Sequence, residues 1–196
     1  MREAPTIQGL VLCGGRSVRM GTDKALLPAE EGHLLRRAIA IVECVKRPAL
    51  LACGPTPRYA DMQRELVLDA FPDGGPLAGL LAGLERARAQ YVVALAVDMP
   101  GVSDGLLHVL LETALRDDLD VVMLSSERGD EPLCSIVHRR VAPKVRAALE
   151  RGERKMTAYH SDGVRVGRLP VDAALCLNLN TPADVEAWRG SKVQAR

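Results

Sequence analysis

Apolar segments alternate with amphipathic ones along the first two thirds of the chain. Residues 91–98 (YVVALAVD) are apolar on both faces, which is typical of a central strand in a parallel sheet. Residues 6–13 form a second apolar run, whereas residues 33–45 repeat their apolar positions every three or four residues, as an amphipathic helix does. The predicted order is strand 6–13, helix 33–45, strand 48–54, helix 57–66 opened by Pro57, strand 66–69, helix 76–90 with Pro76 in its first turn, strand 91–98, helix 105–115 and strand 120–126.

The alternation of apolar and amphipathic segments is less regular in the last third of the chain. It predicts strands at 132–140 and 164–171, a helix at 141–152, and an extended piece followed by a final helix within 175–190. We therefore expect an α/β, three-layer sandwich: a mostly parallel, Rossmann-like sheet covered by helices on both faces, with a mixed C-terminal part. No linker, low-complexity stretch or repeat interrupts residues 1–196, so we expect a single domain.

The composition narrows the class of partners. Of 196 residues, 26 are Lys or Arg and 25 are Asp or Glu, which gives a formal net charge of +1. A chain without a basic surface field, and with only 3% aromatic residues for base stacking, is not expected to bind nucleic acid. The N-terminal residues contain no apolar signal core, and no run is long enough to cross a membrane. We expect a cytoplasmic protein with no membrane partner.

The cysteines and histidines do not form a recognisable metal-binding or catalytic pattern in the sequence. The five cysteines are scattered and lack metal-ligand spacing, so we expect them to be reduced and mostly buried. Cys13 lies beside two glycines, but no histidine accompanies it, which argues against a catalytic thiol. The four histidines form neither a triad nor a metal-binding pattern.

The first candidate chemistry lies in residues 10–27, LVLCGGRSVRMGTDKALL. The apolar run breaks at Gly14 and Gly15, where bare backbone lets N–H groups approach a ligand. The spacing fits neither a P-loop nor a dinucleotide-binding fingerprint. It predicts a phosphate site of another kind, the alternative being a Gly-Gly turn followed by a solvated basic loop. The cations of this loop are Arg16, Arg19 and Lys24.

Carboxylates end two of the predicted strands. Asp98 ends the strand at 91–98, and Asp69 ends the strand at 66–69. Ligands of open α/β sheets bind at the carboxyl ends of the strands, so Asp98 should face the same crevice as the glycine loop. A carboxylate beside bound polyphosphate is a natural holder of Mg²⁺. The alternative for each aspartate is a helix N-cap or a turn residue.

These residues resemble the molybdenum cofactor guanylyltransferases (MobA), within the glycosyltransferase-A-like nucleotidyltransferases. Leu12–Lys24 matches the pattern L-x-G-G-x-S-x-R-M-G-x-D-K throughout. The first motif indicates the wider nucleotidyltransferase class, and the later landmarks together indicate the guanylyl branch. Those landmarks are Asp69 with Gly75–Gly79 (GPLAG), Asp98–Pro100, Arg128–Pro132 (RGDEP), Gly152–Met156 (GERKM) and Asn178–Pro182 (NLNTP).

The resemblance implies transfer of GMP from GTP to molybdopterin, free or molybdenum-loaded, with release of pyrophosphate. It implies that the backbone of Leu12, Cys13 and Gly14 contacts GTP, and we expect Gly15, in the same loop, to bind GTP with them. It also implies that Lys24 holds phosphate, Asp69 contacts the nucleoside and Asp98 binds both GTP and Mg²⁺. In the position of an Asn that contacts the guanine or its sugar in some members, this chain has Ala52.

No covalent nucleophile is needed for such a transfer, because the terminal phosphate of molybdopterin can attack the α-phosphorus of GTP directly. The difficulty is to bring two polyanions together and to stabilise the charge that develops. We therefore expect Arg19, Lys24 and Asp98, the last through its metal, to be the catalytic groups.

The second substrate needs polar groups elsewhere. The candidates are Arg154 and Lys155 near a predicted helix end, and Asn178 and Asn180, whose side chains share one face of an extended run. The alternative is that Asn180 merely helps to cap the last helix and that the two cations are solvated. The chain is thus expected to have a nucleotide-binding half, about 1–125, and an acceptor-binding half, about 126–196.

Three other functions stay open. A sibling enzyme would use CTP, or a sugar-phosphate acceptor, with the same first motif. A regulatory module would bind GTP without turnover, and a structural domain would bind no nucleotide. We further expect a monomer that makes at most transient contacts with proteins that deliver or receive the cofactor.

Overall fold

The computed structural model describes residues 5–14, 23–29, 32–45, 47–71 and 73–194. Its strands are β1 (Ile7–Leu12), β2 (Pro28–Ala29), β3 (Gly32–His33), β4 (Leu50–Ala52), β5 (Glu65–Val67), β6 (Tyr91–Ala96), β7 (Val121–Ser126), β8 (Gly129–His138) and β9 (Val166–Pro170). Its α-helices are α1 (Leu34–Val42), α2 (Gly75–Arg86), α3 (Asp104–Arg116), α4 (Ala142–Glu150) and α5 (Pro182–Gln194). None of the described helices is long and apolar enough to span a bilayer.

One seven-stranded sheet dominates the described residues, in the order β5-β4-β1-β6-β8-β7-β9. The first four of these strands are parallel, and Leu12 pairs with both Ala52 and Ala96. Three strands therefore reach their carboxyl ends at the same level. Strand β8 runs antiparallel to both β6 and β7, whereas β9 is parallel to β7. The expected sheet, parallel at first and mixed in its C-terminal part, is confirmed.

Alternating strand residues feed two separate cores. Val11 packs in the core that also holds residues of α1 and α3, whereas Leu10 packs in the core that holds residues of α2 and α4. The same alternation separates Val93 from Val92 in β6. Because both faces are covered, β6 is apolar along its whole length and β1 is apolar except at Gln8 near its start, as the sequence indicates. The three-layer arrangement is confirmed.

The predicted helix at 57–66 is wrong. The structure has only a short 3₁₀ turn at Ala60–Met62, and Glu65 already belongs to β5. Tyr59 and Gln63, on either side of the turn, have positive φ angles of 64° and 53°, which L-residues rarely adopt. Pairing of β5 with β4 in the sheet overrides the helical spacing of Tyr59, Met62 and Leu66.

Candidate nucleotide site

A cleft of about 700 Å³ opens where β1, β4, β5 and β6 end. Its floor is formed by the residues that directly follow these strands, which is the place where open α/β sheets bind their ligands. The cleft brings together six described residues that the sequence singles out. They are Leu12, Cys13, Gly14, Lys24, Asp69 and Asp98.

Gly14 is needed for close packing of two backbone segments. A Cβ atom at this position would lie 2.8 Å from the amide nitrogen of Gly54, closer than real side chains come to backbone. The neighbouring Cys13 donates its N–H to the carbonyl of Ala52, which extends the β1–β4 pairing into the cleft. The loop therefore leaves the sheet at a position that only glycine fills. Gly15, Arg16 and Arg19 lie outside the described residues.

Lys24 and Asp98 meet at one side of the cleft. The Nζ atom of Lys24 lies 3.4 Å from Oδ2 of Asp98, and it also donates a 2.7 Å hydrogen bond to Oδ1 of Asn180. Both charged side chains are about one fifth exposed, at 19% and 18%. The backbone is joined at the same point, since the N–H of Leu179 donates to the carbonyl of Asp98 at 2.9 Å. A cation, a carboxylate and an amide oxygen thus share one corner of the cleft.

This corner fits a divalent cation of the Mg²⁺ type. Within the described part of the chain no group of three or more His, Cys, Asp or Glu residues is placed to hold a metal ion. A closed zinc site would need such a group, whereas Mg²⁺ takes one or two carboxylates and completes its shell with water and phosphate oxygens. The carboxylate in this corner is that of Asp98. The amide oxygen of Asn180 is its neighbour, because both groups contact the ammonium of Lys24.

Asp69 lines the cleft and has one carboxylate oxygen that is buried in the protein. Its Oδ1 atom is buried and has no hydrogen-bond partner among the described residues. Burial raises the pKa of this carboxyl above its usual range. Gly79 of α2 lies beside this carboxyl, and a Cβ atom there would come within 3.1 Å of the Ala52 Cβ atom, so glycine allows α2 to pack closely on β4. The residue itself lines the cleft, so its carboxylate is an acceptor at the edge of the site.

We expect Asp69→Asn to raise the free energy of unfolding at pH 7 by up to about 1 kcal/mol, because it removes a charge that folding desolvates. The pKa of Asp69 is higher in the folded protein, so its ionised form carries the cost. That cost is present above the folded-state pKa and fades as the pH falls through it. Urea unfolding measured at a series of pH values downward from pH 7 should therefore show the gain shrinking, while exposed Asp61→Asn changes little. A destabilised Asp69→Asn protein at pH 7 would contradict this account.

The four residues expected on the acceptor side fall into two places. Asn180 lies against Lys24, and Asn178 donates to the carbonyl of Cys176 while its own Oδ1 atom is buried with no described partner. Arg154 instead donates to the carbonyls of Leu149 and Glu153 near the end of α4. Among the described residues, no hydrogen bond or ion pair joins Arg154 or Lys155 to the two asparagines.

The start of α5 is held by a different residue pair. The side chain of Thr181 accepts from the N–H of Asp184, and the Asp184 carboxylate accepts from the N–H groups of Asn180 and Thr181. This reciprocal cap uses the backbone of Asn180 and leaves its amide side chain for Lys24.

Arg58 and Tyr59 are site residues that the sequence did not indicate. Arg58 lines the cleft, and both side chains contact the loop that carries the glycines and Lys24. The helical spacing of 57–66 concealed them, because it places them on a helix surface. Two prolines at Pro55 and Pro57 were the available signal for an irregular segment.

These features define an α/β protein with a cleft at the carboxyl ends of a mainly parallel sheet, beside a glycine turn and a lysine–aspartate pair. More particularly, the chain belongs to the family of the MobA-like NTP transferase domain, which matches residues 9–164. The resemblance seen in the sequence is confirmed.

Relatives of known name cover nearly the whole chain. A molybdenum cofactor guanylyltransferase of Pseudomonas fluorescens (strain SBW25) is 37% identical over 177 residues, which is 88% of each protein. A molybdenum cofactor guanylyltransferase of Vibrio atlanticus (strain LGP32) is 31% identical over 179 residues, covering 90% of this chain and 92% of the relative.

Solved structures share the fold at lower identity. Molybdopterin-guanine dinucleotide biosynthesis protein A from Archaeoglobus fulgidus superposes with a TM-score of 0.76 at 22% identity, covering 92% of this chain and 95% of the other. Rv0371c from Mycobacterium tuberculosis H37Rv, in complex with manganese, gives a TM-score of 0.67 at 21% identity, covering 93% and 97%. These likenesses place the sheet and helices in a common fold.

Proposed function

We propose that this chain transfers GMP from GTP to molybdopterin, free or molybdenum-loaded, and forms the guanine dinucleotide cofactor and pyrophosphate. The observation that carries the proposal is the meeting of Lys24 and Asp98, 3.4 Å apart, in a cleft that also contains the glycine turn. The names of the relatives supply the two substrates.

In this reaction a terminal phosphate oxygen of the acceptor forms a bond to the α-phosphorus of GTP. The bond from that phosphorus to the oxygen that bridges the α- and β-phosphates breaks, and this oxygen leaves with pyrophosphate. Lys24 places its ammonium against phosphate oxygens and offsets charge in both the bound and the transition state. The backbone where the loop leaves β1, at Gly14, together with Gly15 and Arg19, would serve the same phosphates, since the N–H of Cys13 already donates to the carbonyl of Ala52. Mg²⁺, held by Asp98, would neutralise the nucleotide phosphates.

Asp69 and Ala52 lie on the nucleoside side of the proposed site. The carboxylate of Asp69, which lines the cleft, would accept a hydrogen bond from the nucleoside. The Ala52 side chain lines the same cleft and offers no polar group to the base. Selection of guanine would then depend on neighbouring backbone groups, and discrimination against other bases should be weaker than in an enzyme with an asparagine there.

The acceptor would lie beside Asn178 and Asn180, on the side of Lys24 and Asp98, with Arg154 and Lys155 as more distant cations. We further propose that the chain is one monomeric, cytoplasmic domain. In it, residues 1–125 bind mainly nucleotide and residues 126–196 mainly acceptor, and contacts with cofactor-delivery or acceptor proteins are transient.

Reconstitution tests the proposal directly. The purified protein is incubated with molybdopterin, MgCl₂ and either GTP or CTP, with pyrophosphate and the dinucleotide product both measured. We expect product with GTP, less with CTP, and none after chelation of the metal. Greater turnover with CTP, or with a sugar phosphate in place of molybdopterin, would assign the chain to a sibling activity. GTP binding without pyrophosphate release would identify a non-catalytic module.

A further inference from the structure

The segment that follows β4 is held in an unusual backbone conformation. Tyr59 has φ and ψ of 64° and 34°, in the left-handed region that favours glycine. Such a conformation persists in a bulky residue only when surrounding contacts hold it, and residues of this kind cluster at functional sites. The contacts of Arg58 and Tyr59 are therefore informative.

Both side chains reach the glycine loop. The Arg58 guanidinium donates a 3.1 Å hydrogen bond from Nη2 to the carbonyl of Cys13, and its Nη1 lies 3.6 Å from Oδ2 of Asp23. The Tyr59 hydroxyl donates a 2.7 Å hydrogen bond to that same Oδ2. The guanidinium also lies over the Tyr59 ring, 5.1 Å from its centroid, so the two side chains support each other.

These contacts join the two ends of one loop. Cys13 stands where the loop leaves β1, and Asp23 stands where the chain returns to the cleft. The second carboxylate oxygen of Asp23 accepts from the N–H of Ala25 at 3.1 Å and so caps the short turn Lys24–Leu26. Oδ2 of Asp23 thus contacts both Tyr59 and Arg58, while Oδ1 of the same carboxylate caps the turn that carries Lys24.

The Tyr59 hydroxyl is suited to a permanent donor role. Burial and the neighbouring Asp23 carboxylate raise the pKa of Tyr59 far above neutrality, so the hydroxyl keeps its proton. Its hydrogen bond goes to a charged acceptor, which makes it stronger than a bond between neutral groups. Tyr59 itself does not line the cleft, whereas Arg58 does.

We propose that Arg58 and Tyr59 are positioning residues that hold the two ends of the glycine loop together through Cys13 and Asp23, and thereby aim Lys24 at the nucleotide phosphates. The role of Lys24 rests on the proposed function, whereas the contacts that hold the loop do not. Neither Arg58 nor Tyr59 needs to touch the reacting atoms.

Tyr59→Phe is the cleanest test, because it removes one hydroxyl and keeps the ring beside Arg58. The matched control is Tyr91→Phe, which removes a hydroxyl that donates to the carbonyl of Leu119, away from the cleft. Hydrogen exchange of the unliganded proteins should show faster exchange of the amides of Ala25, Leu26 and Leu27 in Tyr59→Phe and unchanged exchange in Tyr91→Phe. Unchanged exchange in both variants would overturn the proposal.

Kinetics provide the second measurement. We expect turnover by Tyr59→Phe to fall roughly tenfold, the loss that one misplaced charge-assisted contact can cause, with a smaller rise in the KM for GTP. Tyr91→Phe should keep parental turnover even if its thermal stability falls equally. If turnover follows stability alike in both variants, the tyrosine is only structural and the proposal fails.

A double-mutant cycle with Asp23→Ala tests whether the residues act together. Once Asp23 is gone, Tyr59→Phe should change turnover less than twofold, because its acceptor is absent. If Tyr59→Phe still lowers turnover tenfold in the Asp23→Ala protein, Tyr59 does not act through Asp23 and the proposal is contradicted. If the parent protein binds no GTP yet Tyr59→Phe still loosens residues 25–27, the proposed function fails and the loop-holding role stands.

Discussion

Asp98→Asn should lower turnover by about a hundredfold or more while the protein stays folded. The substitution keeps the size of the side chain and removes the charge that would hold Mg²⁺. Stability should change little, because the pair with Lys24 is partly exposed and such pairs contribute at most about 1 kcal/mol. Pyrophosphate release at several Mg²⁺ concentrations, together with thermal unfolding, measures both effects.

Asp61→Asn is the control for Asp98→Asn, because Asp61 is exposed and lies outside the residues that line the cleft. It should match the parent in turnover and in metal requirement. If folded Asp98→Asn protein also keeps parental turnover at low Mg²⁺, Asp98 does not hold the metal.

Lys24→Met should reduce turnover by about a hundredfold and raise the KM for GTP by about tenfold. Methionine keeps the apolar stem and loses the ammonium, which would touch phosphate in both the ground state and the transition state. KM combines binding and turnover, so direct measurement of GTP binding in the absence of the acceptor is the more informative assay.

Lys144→Met is the corresponding control. Lys144 also uses its ammonium for local contacts, donating to the carbonyl of Asp162 at 2.7 Å, but it lies outside the residues that line the cleft. Its loss should leave GTP affinity at the parental value. Equal GTP affinity in Lys24→Met and the parent would remove Lys24 from the phosphate site.

The sheet and its helices were predictable from the sequence because burial dictates their pattern. A strand covered on both faces must be apolar throughout, and Tyr91–Ala96 is fully buried along its length. The meeting of Asp98 with the glycine turn followed from a general rule about carboxyl ends of parallel strands. These inferences need only local pattern and topology.

The segment 57–66 and the place of Asn180 were not predictable in the same way. Tyr59, Met62 and Leu66 have helical spacing, but the conformation is decided by β4–β5 pairing and by the contacts of Arg58 and Tyr59 with residues more than 30 positions earlier. Asn180 was expected among the acceptor-side residues, and its side chain bonds to Lys24. The spacing of residues within one segment cannot predict contacts with partners so far away in the sequence.

The hydrogen bond between Lys24 and Asn180 joins residues that are 156 positions apart. During synthesis, the glycine turn and Asp98 are made long before Asn180 leaves the ribosome. The corner that collects cation, carboxylate and amide is therefore closed only when nearly all of the chain is available, among the slow, non-local contacts of folding. An incomplete chain would display the same cleft with Lys24 and Asp98 but without the amide oxygen that Asn180 supplies to Lys24.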